Sequence, residues 1–161
     1  MPVSPSSRPL LVGEANPYGG DPYYALYPSP DGCAGHRLCC VILGMKRGHY
    51  LEAFERTNLC ETKWVMVQAR KRAVELRTRP GPLVLLGAKV ACAFDFDPFE
   101  PFTVADGGKT LVLPHPSGLC RLWSEPGAVR RARQLVAEVA PSIAHLLGSL
   151  GEEKEPDYLI R

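Results

Sequence analysis

Three short apolar runs, each stopped by glycine or proline, constrain this chain most. Pro9-Leu10-Leu11-Val12-Gly13, Leu83-Val84-Leu85-Leu86-Gly87 and Leu111-Val112-Leu113-Pro114 are too short for helices and apolar without alternation. A strand that is apolar on both sides has to be covered on both sides, as in a parallel sheet flanked by helices. The intervening segments supply those helices. The pattern predicts them over 36–45, 50–55, 62–79, 88–94 and 126–147. In the third, Thr62 is the expected cap, and Trp64, Val65, Val67, Ala69, Val74 and Leu76 are its apolar positions. In the last, Pro126 falls in the first turn, Val129, Leu135, Val136, Val139, Ile143 and Leu146 face inward, and Pro141 makes a kink. Residues 56–60 read as one more brief strand and 95–108 as a loop. Strands alternating with helices predict an α/β chain: a three-layer α/β/α sandwich around a small, mostly parallel four-stranded sheet. The 161 residues, 45% hydrophobic and 22% charged, suit one domain over 9–147, with a Pro- and Ser-rich disordered start at 1–8 and a tail at 148–161.

Loops leaving the ends of such strands line the ligand crevice of an open sheet. After the first run comes Glu14-Ala15-Asn16-Pro17-Tyr18-Gly19-Gly20-Asp21-Pro22-Tyr23-Tyr24, too rich in Pro and Gly for a helix or strand. A carboxylate, a carboxamide and three tyrosines at a strand end suit binding better than mere connection. After the last run comes Pro114-His115-Pro116-Ser117-Gly118-Leu119-Cys120-Arg121. Each proline fixes its own φ and Pro116 also restricts His115, so the imidazole is aimed by its backbone. Asn58, in or beside the second strand, joins these two loops at one edge of the sheet.

Charge and cysteine usage narrow the classes. A net charge of +2 does not by itself imply a nucleic-acid partner. Lys71, Arg72, Arg77 and Arg79 cluster, as do Arg121, Arg130, Arg131 and Arg133, although a solvated helix face accounts for either cluster equally well. Cys33, Cys39, Cys40, Cys60, Cys92 and Cys120 lack C-x-x-C spacing and sit partly in apolar runs, which predicts buried reduced thiols rather than a metal site or disulfides. No apolar run approaches the roughly 20 residues of a membrane span, and Met1 to Arg8 lacks the apolar core of a signal peptide. The expected setting is cytoplasmic, with no membrane partner, metal or cofactor.

Leu11-Val12-Gly13-Glu14-Ala15-Asn16-Pro17-Tyr18-Gly19 resembles the first motif of the uracil-DNA glycosylase superfamily, where a strand ends at Gly before an Asp-Pro-Tyr or Asn-Pro-Gly step. His115-Pro116-Ser117-Gly118-Leu119 resembles its second motif, His-Pro-Ser-x-Leu. Between them Tyr27-Pro28, Gly35-His36-Arg37-Leu38 and Leu43-Gly44-Met45 resemble the corresponding stretch of the mismatch-specific and thymine-DNA glycosylase branch. The likeness spans residues 9–140 and is carried by the order and spacing of the motifs. Two departures stand out. One extra residue separates Gly13 from Asn16-Pro17, and Asn16 occupies the place of the water-activating Asp of the most active branch. Glu14 is similar to the Glu of the Gly-Glu-Ala-Pro version in the iron-sulfur branch, but the cysteine pattern of that branch is missing, so no cluster is expected.

The resemblance implies a monofunctional DNA glycosylase acting on uracil or another modified or mismatched base, with DNA, duplex or single-stranded, as partner and the monomer as working form. Cleaving the bond between base and deoxyribose builds negative charge on the base and positive charge on the sugar, so the site needs a donor for one and a polar group holding water for the other. By the resemblance His115 is the donor, Asn16 or Glu14 holds the water, and Asn58 reads the base edge through its carboxamide. Tyr18 shapes the pocket, Tyr23, Tyr24 or Tyr27 stacks on the base, and Ser117 belongs to the binding motif. Leu119 fills the vacated stack as a wedge, and Arg121 meets phosphate. Two other readings stay open: a non-catalytic module binding nucleic acid, a nucleotide or a protein, kept alive by Asn16, and a glycosylase for a bulky hypermodified base such as phage DNA carries, for which the long first loop would build a wider pocket.

Overall fold

The computed structural model describes residues 7–16 and 19–150. Five strands, β1 (Leu10–Gly13), β2 (Glu55–Asn58), β3 (Leu83–Leu86), β4 (Thr103–Ala105) and β5 (Thr110–Leu113), form one mixed sheet in the order β2-β1-β3-β5-β4. The first four in that order are parallel, and the chain reverses its direction of travel across the sheet about β1. β4 lies antiparallel to β5, Val104 opposite Leu111. This fifth strand corrects the reading of 95–108 as a loop. Its three residues are only half-buried and carry no pattern of their own; β5 supplies the ladder that makes them a strand.

Helices α1 (Ala34–His36, continuing as a π-helical segment Arg37–Ile42), α2 (Arg47–Ala53), α3 (Met66–Arg77), α4 (Ala88–Ala93) and α5 (Ala128–Val139) pack on the sheet. Alternation along each strand divides the core in two. Leu11, Val84, Leu86, Leu111 and Leu113 meet Leu38 and Ile42, Tyr50 of α2 and Ala132 and Val136 of α5. Leu10, Val12, Leu83, Leu85 and Val112 meet Ala69, Ala73 and Leu76 of α3 and Val90 and Ala91 of α4. Covering on both sides is why these strands are apolar throughout.

The helices differ from their expected limits: the first runs over 34–42 instead of 36–45, and α4 stops one residue early, at Ala93. α2 begins at Arg47 and ends at Ala53, short of 50–55 at one end and beyond it at the other. α3 starts at Met66 with Val65 as its N-cap, so Thr62 caps nothing, and Val67 and Val74 are exposed. The buried line is Ala69, Ala73 and Leu76, one position per turn. Pro126 lies ahead of α5, which follows Gly127 at φ 78°, and the helix stops at Val139. Pro141 then opens a separate 3-10 helix, Pro141–Leu146, instead of kinking a continuous one, because its ring cannot donate to the preceding turn.

The N-terminal ends of the parallel strands are tied by charge. Arg79 donates to Glu55 Oε2 at 2.6 Å, to the Arg8 carbonyl at 3.0 Å and to the Pro82 carbonyl at 3.2 Å. Lys109 donates to the Arg79 carbonyl at 2.6 Å. Arg79 is therefore a clamp rather than part of a basic patch, and Arg77 donates to the Phe94 carbonyl. Arg133 is similarly engaged, donating to the carbonyls of Ile42, Val41 and Ser149. Most of the expected disordered start and tail lies outside the described residues; Arg8 pairs with Glu55, and the Gly148 amide donates to the Leu43 carbonyl at 2.8 Å. Among the described residues no helix is long and apolar enough to cross a membrane.

Candidate functional site

Past the last paired residues, β1 and β2 stay together. Leu59 N–H donates to the Gly13 carbonyl, Cys60 N–H to that of Glu14, and Asn16 N–H to that of Glu61, each at 2.9–3.0 Å. This continuation fixes the backbone of Glu14 and Asn16 at the C-terminal end of the sheet. There they border a cleft of about 840 Å³ together with Tyr24, Asn58 and His115. Three segments far apart in sequence are thus brought to one cavity. Tyr18 lies outside the described residues. Ser117, Leu119 and Arg121 do not line the cleft; they continue the His115 loop past its rim, with Leu119 92% exposed.

His115 is held by its neighbours. Its carbonyl accepts from Trp123 Nε1 at 2.8 Å, and the next carbonyl, of Pro116, accepts from Arg37 Nε at 3.1 Å. Ser117 N–H donates to Nδ1 at 3.1 Å. A nitrogen that accepts carries no proton, so the neutral ring is protonated at Nε2, which is left as a donor. Ser117 Oγ in turn accepts from Leu119 N–H at 3.1 Å, closing the loop on itself. Gly87, at φ 99°, lies beneath: a Cβ there would stand 3.2 Å from that of His115. The glycine that stops the β3 run thereby makes room for the imidazole.

Gly13 does the same for Asn58, its partner in register. A Cβ at Gly13 would come within 2.5 Å of Asn58 Oδ1. The carboxamide therefore lies over the end of β1, beside Glu14 and Asn16. One carboxylate, two carboxamides and one imidazole donor make a site that can bind a planar polar heterocycle and hold a water molecule beside it.

The opposite wall is the stretch from Asp21 to Gly35. Asp21 caps the 3-10 turn Pro22–Tyr24, accepting from Tyr23 N–H at 3.0 Å. Tyr23, Tyr24 and Tyr27 meet edge to face or tilted, with centroids 5.1–5.7 Å apart. Below them Arg56 donates to the Ala25 carbonyl at 2.9 Å, and Tyr50 donates to the Leu26 carbonyl at 2.7 Å. Leu26 lines the cleft at φ 52°, a conformation that side chains other than Gly rarely adopt. Burial pushes the Tyr50 phenol well above its ordinary range. Gly35 closes the wall, where any Cβ would strike the Tyr27 carbonyl. Leu26, Tyr50 and Gly87 escape sequence reasoning as parts of the site. The two strand-ending glycines are visible as punctuation, but nothing in the sequence marks Leu26 or Tyr50.

All six cysteines are unpaired; Cys39 and Cys60 are buried and the others half-buried. Burial, reinforced by Cys40, pushes the Cys39 thiol up to about 12, which leaves it protonated and inert. Among the described residues no three His, Cys, Asp or Glu side chains are grouped to hold a metal ion. No family model, no curated protein and no solved structure matches this chain.

Proposed function

We propose that the cleft receives a base extruded from DNA and that the protein hydrolyses its N-glycosidic bond, leaving an abasic site. The observation that carries this reading is the meeting of Glu14, Asn16, Asn58 and His115 in one cavity, with Nε2 of His115 left as a donor. Water attacks C1′ of the sugar, the bond to the base nitrogen breaks, its electron pair leaves with the base, and the proton the water gives up passes to solvent, from which the released base anion is protonated. The His115 Nε2–H donates to the base oxygen on which that charge accumulates, while Glu14 or Asn16 holds the water. Asn58 offers donor and acceptor together to the edge of the base. Among the described residues no lysine borders the cleft, which favours hydrolysis over attack by a side-chain amine. The helices on the two faces of the sheet favour a three-layer α/β/α arrangement, and we place the working monomer in the cytoplasm.

The test is incubation with duplex and single-stranded oligonucleotides carrying a panel of altered bases, followed by alkali to reveal abasic sites. Alkali-dependent breaks are expected for at least one base, and they should weaken in Asn16→Ala or Glu14→Gln, whichever residue holds the water. Binding without breaks on every substrate would sink the enzyme reading in favour of a non-catalytic module.

A further inference from the structure

The cleft continues beyond its own rim. The 3-10 turn Pro22–Tyr24 contributes one residue to it and another to a second groove of about 750 Å³. Tyr24 borders the cleft, Pro22 borders the groove, and Asn16, Asp21 and Asn58 border both. Tyr23, between Pro22 and Tyr24 in that turn and lining neither cavity, is 56% exposed. Its position is nonetheless fixed: Asp21 accepts from its N–H, Tyr24 and Tyr27 brace its ring, and the Arg56 guanidinium lies 5.3 Å from its centroid. A large aromatic surface that is both open and held loses little freedom when something lies on it.

The far side of the groove carries Lys63, Lys71 and Arg72 from α3 and the segment leading into it. Arg72 is paired with Glu75 at 3.1 Å, and Asp21, Glu61 and Glu75 also border the groove. Lys63 and Lys71 form no ion pair among the described residues, so the groove presents two separate cations rather than a uniform positive field. That arrangement, an aromatic step followed by spaced ammonium groups, matches a chain of stackable rings joined by phosphates.

We propose that an unpaired DNA strand leaves the cleft over Tyr23 and runs into this groove. The base next to the one in the cleft stacks on Tyr23, and phosphates beyond it meet Lys63 and Lys71. The proposal rests on the cleft being a base pocket. Its consequence is a preference for unpaired DNA, because a neighbouring base that stays in a duplex is covered by its own stack and cannot reach Tyr23.

The experiment measures fluorescence anisotropy of a short oligodeoxynucleotide, single-stranded or annealed to its complement, across a salt series. A 2-aminopurine beside the altered base reports stacking by quenching. Tyr23→Ala and Tyr23→Leu should weaken single-strand binding about tenfold and abolish the quench, while Tyr23→Phe preserves both. Lys63→Ala with Lys71→Ala should lower the salt slope for the single strand by about 0.7 for each lysine. Duplex binding should change less in every case. All these side chains are exposed or at the rim, so unchanged melting verifies folding. Folded variants that bind the single strand like the parent, or lose duplex binding equally, overturn the path. Base release with unaltered single-strand binding rejects the path and leaves the cleft reading intact; loss of single-strand binding and of the quench in the variants of a protein that releases no base keeps the base pocket and the path and rejects hydrolysis.

Discussion

The amide of Ser117 donates to Nδ1 of His115 at 3.1 Å and so decides which ring nitrogen is left to act. If His115 stabilises the departing base, His115→Ala should lower base release by about 100- to 1000-fold, the usual effect of losing one such donor. The half-buried side chain belongs to neither core cluster, so melting should hardly change. Single-turnover rates beside a melting curve check this, and near-normal turnover in a folded variant refutes the role.

Gly13→Ala tests how Asn58 is positioned. The new methyl would displace Oδ1 of Asn58, the free end of a side chain that can swing aside, so the cost in stability should be about 1 kcal/mol. Substrate binding should fall about as far as in Asn58→Ala. Titration of both variants with the same substrate decides; a Gly13→Ala protein that binds normally while Asn58→Ala does not would show that the carboxamide acts from elsewhere.

Leu119 extends past the rim of the cleft almost fully exposed, as a wedge must. Leu119→Ala should leave stability unchanged and slow base release more on duplex than on single strands, where the base is already unstacked. Arg121→Ala should weaken both substrates and lower the duplex salt slope by about 0.9. Initial rates on matched substrates separate the two, and equal losses on both from Leu119→Ala rule out the wedge.

Tyr50 makes stability depend on alkaline pH. Burial favours its neutral phenol in the fold, so its contribution is complete below the ordinary value of 10.0 and is lost as pH rises above it. Tyr50→Phe should cost about 1 kcal/mol at neutral pH through the lost bond to the Leu26 carbonyl. It should also flatten the decline above pH 10.0. Melting temperatures of both proteins from neutral to strongly alkaline buffer give the comparison; parallel curves contradict it.

The legible parts of this chain were those in which composition and position agree. β1, β3 and β5 are apolar on both sides because both are covered, and their ends could be read from Gly13, Gly87 and Pro114. Convergence of the loops at Glu14, Asn58 and His115 followed from the parallel strands themselves. In α3 the expected Ala69 and Leu76 are buried, but the pattern also picks out Val67 and Val74, which are exposed, and passes over Ala73, because valine is more apolar than alanine whereas small size fits a helix close to a sheet. β4 and the backbone of Leu26 had no signature, since each is imposed by what it packs against.

Brief as it is, β4 has a bearing on how the chain behaves at high concentration. Without it β5, the strand that delivers His115, would form the margin of the sheet and offer unpaired amides and carbonyls as a template for a strand from another molecule. β4 occupies that ladder, and at the opposite margin β2 carries Glu55 and Arg56, which discourage a second copy from aligning. Recruitment of neighbouring chains is thereby kept away from the strand end on which the proposed chemistry depends.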